Sequence, residues 1–152
     1  MARIPTIILI AFTIILSSTK SFADNTKPDR QTIDATVERL NEYWSIDDMQ
    51  SWVGLFAEDA IFLNSSLTQA VVGQSAIRQL AKQWPKLENI REWHVIEGNR
   101  MAVGWRERGM RKDGKMSAWY RGMSTFVFNA DGLIESYEGV FNLEAVKAAY
   151  SL

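Results

Sequence analysis

The 152-residue chain contains no cysteine. A disulfide framework, a thiol nucleophile and a cysteine-linked lipid are therefore excluded, and stability has to come from a packed core. Its single histidine, His94, excludes a metal site built from several histidines. Basic excess is missing as well: 17 Lys and Arg face 18 Asp and Glu, a net charge of −1, which supplies no stripe for binding nucleic acid. No apolar run approaches the roughly 20 residues that a spanning helix requires, so no stable membrane anchor is expected. The chain also has no G-x-S-x-G elbow, no G-x-x-x-x-G-K-[ST] loop and no G-x-G-x-x-G turn. Serine hydrolase, nucleoside triphosphatase and dinucleotide chemistry are set aside on that ground, and no cofactor is implied.

What is present begins with an export signal. Arg3 precedes an apolar run from Ile4 to Leu16, and small residues at Ser21 and Ala23 flank Phe22. This pattern predicts a signal peptide over residues 1–23, cleaved to leave a periplasmic or secreted product. Loss of Arg3 and Lys20 moves the net charge from −1 to −3. The remaining chain, 47% apolar and 23% charged over the whole sequence, has the composition of one globular domain rather than a disordered segment. Six tryptophans, seven phenylalanines and four tyrosines make its core bulky, and large rings that tile imperfectly leave room for a cavity.

Residues 24–29 are polar and read as a flexible leader to a domain over 30–150. Ile33, Val37, Leu40 and Trp44 recur on one face of a first helix. Ser45 or Asp47 can cap a second, shorter helix carrying Met49, Trp52, Val53 and Phe56, ending near Ala57. A short strand over Ala60 to Leu63 and a return at Ala70 to Val72 follow. A third helix then opens at Gly73 or Ser75 and is stopped by Pro85. From there the period changes from 3.6 to 2. Arg91 to Glu97, Arg100 to Arg111, Lys115 to Asn129 and Leu133 to Leu143 read as four strands of an antiparallel meander, with turns at Gly98-Asn99, Lys112-Asp113-Gly114 and Asn129 to Gly132. Glu144 to Ala149 can add a last helical turn. The layout is α+β, with helices covering one face of a curved antiparallel sheet.

Three blocks carry a resemblance to a known family: Asp48-Met-Gln-Ser-Trp-Val-Gly-Leu-Phe-Ala-Glu-Asp-Ala-Ile-Phe62, then Gly73 opening a helix with Ala76-Ile77-Arg78, then Asn129-Ala-Asp-Gly132 before Leu133-Ile134. In order and spacing they resemble the SnoaL-like branch of the nuclear transport factor 2 (NTF2-like) superfamily. The resemblance implies a cone-shaped fold with an apolar cavity at one end, often in a homodimer. The superfamily includes steroid isomerases, polyketide cyclases, epoxide hydrolases, dehydratases and non-enzymatic modules, so fold alone leaves function open. The residues that serve steroid isomerases align with Asn64, Leu40 and Ser124, and an amide cannot abstract a carbon-bound proton. The epoxide hydrolase pattern is matched at Arg108 and around Val140 to Leu143, but its two acids fall on Met110 and Gly139.

Alternation sorts the strands into faces. Met101, Val103, Trp105, Glu107 and Gly109 share one, and Tyr120, Gly122, Ser124, Phe126 and Phe128 share another. A glutamate behind three apolar positions can have a raised pKa and act as acid or base, so Glu107 is a catalytic candidate; the alternative is an ion pair with Arg106, Arg108 or Arg121. His94 is the second candidate, against a role as a hydrogen-bonded sheet residue. Trp44, Asn64, Trp105, Tyr120, Ser124, Tyr137 and Phe141 are the expected ligand contacts. The acidic pairs Asp47-Asp48 and Glu58-Asp59 are read as helix-end carboxylates, and the hairpin with Arg106, Arg108, Arg111, Lys112 and Lys115 as solvated. Three functions remain open: an exported domain holding a small, mostly apolar molecule in an aromatic-lined cavity; a cofactor-independent isomerase, cyclase or dehydratase using Glu107 or His94; and a non-enzymatic dimeric interaction module.

Overall fold

The computed structural model describes residues 27–45 and 47–151. The signal peptide and residues 24–26 of the leader lie outside the described residues. The elements run α1 (Arg30–Ser45), α2 (Met49–Val53), β1 (Phe56–Asn64), β2 (Val71–Val72), α3 (Gln74–Ala81), β3 (Leu87–Glu97), β4 (Arg100–Gly109), β5 (Tyr120–Phe128), β6 (Ile134–Phe141) and α4 (Leu143–Ser151).

Helix α1 starts where Asp29 accepts the Thr32 amide at 2.7 Å on its carboxylate and the Ile33 amide at 3.2 Å on its carbonyl. Its buried face is Ile33, Thr36, Val37 and Leu40. The chain then turns through Asp47, in the left-handed region at φ 59°, where a short polar side chain is tolerated. The cap of α2 is Asp48, which accepts the Ser51 amide at 3.0 Å, rather than Ser45 or Asp47. The helix ends at Val53, not near Ala57, because the Leu55 carbonyl accepts the Ile134 amide at 2.8 Å and Phe56 enters the sheet opposite Ile134. Trp52, Val53, Leu55 and Phe56 are all buried, so helical spacing could not show where the helix gave way to the strand.

The six strands lie in the order β2-β1-β6-β5-β4-β3. Strands β3 to β6 form the expected antiparallel meander, but β1 runs parallel to β6, which makes the sheet mixed. The intervening helix and four strands carry the chain back beside its starting strand, a pairing that no local pattern encodes. Strand β3 begins at Leu87, four residues earlier than the alternation indicated, and β5 only at Tyr120. Register shifts bend the sheet between Arg91 and Trp93, Phe56 and Ile61, and Val127 and Phe128. The result is a curved, unclosed sheet with helices packed on its concave face.

Trp52 is the hub of the core, meeting Trp44, Phe56, Trp84 and Tyr137 edge-on with centroids 4.8–6.0 Å apart. The buried Thr36 hydroxyl donates to the Gly132 carbonyl at 2.9 Å, tying α1 to the β5–β6 turn. Gly132 sits at φ 75°, and the Thr32 methyl occupies the space a Cβ would need. At the far end α4 is capped by Asn142, which accepts the Ala145 amide at 3.1 Å, and it brings Val146 and Tyr150 over the open end of the sheet.

Candidate functional site

The elements enclose a cavity of about 360 Å³ between the helices and the concave sheet face. Its wall follows from strand register, because cross-strand partners share a face. One row runs Asn89–Glu107–Tyr120 across β3, β4 and β5; the next runs Arg91–Trp105–Gly122–Phe141 onto β6; the next, His94–Val103–Ser124–Gly139. Glycine at positions 122 and 139 has a clear use. A Cβ on Gly122 would enter the Trp105 ring, and one on Gly139 would approach the Tyr137 hydroxyl to 2.8 Å. Without them, the indole and the phenol lie across the sheet.

Two hydrogen-bonded polar clusters stand in this largely apolar wall. In the first, the Tyr120 hydroxyl donates to Glu107 Oε1 at 2.5 Å and the Asn89 amide donates to Oε2 at 3.2 Å. Burial pushes the Glu107 carboxyl above its ordinary value, against the pull of those two hydrogen bonds. The Tyr120 phenol is pushed up by burial and then by the Glu107 charge. Tyr150, whose ring lies 6.2 Å from that of Tyr120, is pushed up chiefly by burial. A protonated carboxyl that accepts at both oxygens still has its own hydrogen to donate, so the group can act as an acid toward a molecule in the cavity. In the second group, Trp105 Nε1 donates to Ser124 Oγ at 2.9 Å, and Ser124 Oγ lies 2.9 Å from the Tyr137 hydroxyl. Burial raises the Tyr137 pKa, partly offset by the Ser124 hydrogen bond.

Trp44, Asn64, Trp105, Glu107, Tyr120, Ser124, Tyr137 and Phe141 all line this cavity. His94 does not. It shares a register position with Val103, but it stands exposed on the edge strand and is absent from the wall. The ion pair considered for Glu107 is also absent. Arg106 and Arg121 reach Glu92 at 3.9 and 3.1 Å, and Arg108 reaches Glu88 at 2.6 Å. Arg106 and Arg108 further sit over the Trp119 ring, 5.0 and 4.6 Å from its centroid. Asn64 lines the cavity while its Oδ1 is occupied, accepting the Ser66 amide at 2.9 Å and the Ser66 hydroxyl at 2.6 Å.

Sequence reasoning missed Asn89, Arg91, Trp52, Trp84 and Tyr150, which also line the wall. Asn89 lies on the part of β3 that precedes the expected strand start; extending the alternation back from Arg91 would have found it. Tyr150 lies one residue past the expected helical turn.

The SnoaL-like domain family matches residues 37–137. No curated protein matches the chain. Among solved structures, TerC co-crystallised with polyporic acid superposes with a TM-score of 0.68 at 11% identity, covering 80% of this chain and 99% of its own. The epoxide hydrolase/cyclase-like enzyme SalBIII superposes with a TM-score of 0.67 at 14% identity, covering 76% and 95%. The Mycobacterium tuberculosis protein RV0760c, in complex with estradiol-17beta-hemisuccinate, gives 0.64 at 19% identity, covering 74% and 95%. With the fold and the family match in agreement, the chain belongs to the SnoaL-like family of the NTF2-like superfamily.

Proposed function

We propose that this protein takes a small, mostly apolar molecule into the cavity and that Glu107, kept protonated, exchanges a proton with an oxygen of that molecule, as a cofactor-independent isomerase, cyclase or dehydratase would. The observation that carries the reading is the buried carboxyl in the cavity wall, oriented by Tyr120 and Asn89 and, among the described residues, paired with no cation. Tryptophan and phenylalanine faces supply the apolar contact, and few polar groups converge, as small-molecule sites require. TerC and RV0760c, which share the fold, were crystallised with polyporic acid and with estradiol-17beta-hemisuccinate. His94 has no part in the proposal.

The test is native mass spectrometry of wild type and Glu107→Gln purified from the host of origin. A bound molecule in both, which chromatography and fragmentation of the released material show to be a different compound in the variant because conversion is blocked, supports the reading. An empty cavity in repeated preparations of both removes it, and the same compound in both, by retention and fragmentation as well as mass, removes the acid role of Glu107.

Export and dimerisation belong to the same proposal. An intact mass beginning at Asp24 supports cleavage of residues 1–23, and one that retains them refutes it. Trp93, Met123 and Val140, exposed by 45%, 49% and 57%, line up with Gly104 across four strands of the outer sheet face, and a second copy would cover them. Sedimentation equilibrium showing a monomer at high concentration would remove the homodimer.

A further inference from the structure

Among the described residues, Arg91 is the one cation in the cavity wall. It stands on the concave face of β3 opposite Trp105, half-buried, one row from Glu107. Four other arginines of the sheet and its hairpin reach carboxylates, while Arg100 is exposed on the surface: Arg106 and Arg121 share Glu92, Arg108 takes Glu88, and Arg111 takes Asp113 at 3.0 Å. Arg91 has neither an ion pair nor a side-chain hydrogen bond among the described residues, and Glu107, the nearest acid by register, is occupied by Tyr120 and Asn89 instead. The lining tyrosines are neutral donors, and the one carboxyl of the wall is held by Tyr120 and Asn89 rather than by this guanidinium. Burial alone lowers its pKa. Drawing a guanidinium partly out of water with no partner is costly, and a bound anion would offset that cost.

We infer that the ligand of this cavity carries a carboxylate on an otherwise apolar body, and that Arg91 takes the carboxylate. The planar fork of the guanidinium matches a carboxylate with two parallel hydrogen bonds, and the indole of Trp105 beside it in the same row contacts the apolar body. The carboxylate at Arg91 and the acid at Glu107, one row apart, then fix the direction in which the molecule lies. This rests on the cavity being a small-molecule site, as proposed above.

The experiment is isothermal titration calorimetry with 2-naphthoate and its methyl ester, which share an apolar body and differ in charge. Wild type is expected to bind the acid at least about ten-fold more tightly than the ester, as one charge-assisted hydrogen-bonded contact warrants. Arg91→Gln should bind the two alike, with ester affinity unchanged, and the retained ester binding shows that the variant is folded. In wild type, added sodium chloride should erode the advantage of the acid and leave the ester alone. Wild type binding the ester as tightly as the acid, an advantage insensitive to salt, or a preference that survives in Arg91→Gln overturns the inference while leaving the cavity reading intact. Binding of neither probe overturns the cavity reading itself and the inference with it.

Discussion

Replacing Tyr120 by phenylalanine deletes one hydroxyl from the floor of the site and little else. The ring is 9% exposed and meets Trp105 edge-on at 6.3 Å, contacts that phenylalanine keeps. What is lost is the 2.5 Å hydrogen bond to Glu107 Oε1. Leaving a buried acceptor unpaired costs about 1–3 kcal/mol. Because both groups face a cavity that water can enter, the lower part of that range, about 1–2 kcal/mol, is expected. For a domain of this size that lowers the melting temperature by about 4–8 °C. The pH dependence follows from linkage. Burial holds the folded carboxyl above its ordinary value of 4.5, so its contribution to stability is complete below 4.5 and is lost as pH rises through the folded value. The Tyr120 hydrogen bond pulls that folded value down, so Tyr120→Phe raises it further and prolongs the loss. Thermal unfolding followed by circular dichroism from acid to mildly alkaline pH should show a deficit that widens with pH. In a Glu107→Leu background the same substitution should cost almost nothing, because both partners are then apolar. A deficit that narrows with rising pH, or one that is the same in both backgrounds, would refute the proposed contact.

Two further outcomes follow from other parts of the fold. Ser124→Ala strands both Trp105 Nε1 and the Tyr137 hydroxyl, each 2.9 Å from Ser124 Oγ. A loss of about 2 kcal/mol is expected by urea unfolding, together with altered tryptophan emission from Trp105, and an unchanged midpoint would contradict the network. Thr36→Val removes the 2.9 Å tie from α1 to the Gly132 carbonyl while filling the same volume. It should cost about 1 kcal/mol and speed amide exchange in the β5–β6 turn, and a turn protected as in wild type would show that α1 is anchored otherwise.

Alternation along two strands was enough to place Glu107, Trp105, Tyr120 and Ser124 on common faces, because side chains of a strand point alternately to its two sides. Helical spacing located α1 and α3, and the Asn129 to Gly132 turn marked the last hairpin. Cysteine content and the apolar N-terminal run concern chemistry and address rather than geometry, and needed no fold. The partners of each strand were another matter. That β1 lies parallel to β6, that β3 starts early enough to bring Asn89 beside Glu107, and that β3 ends up as the edge strand on which His94 stands exposed all depend on pairing between distant segments. The fate of Glu107 turned on the same point. Arginines flank it in sequence, yet they project from the other face to Glu88 and Glu92, and the carboxyl is left with a tyrosine, an asparagine and the cavity. A charge one residue away along a strand points to the opposite face; which groups meet each face there is decided only by pairing in three dimensions, and with it whether a carboxyl is a salt-bridge partner or a buried acid.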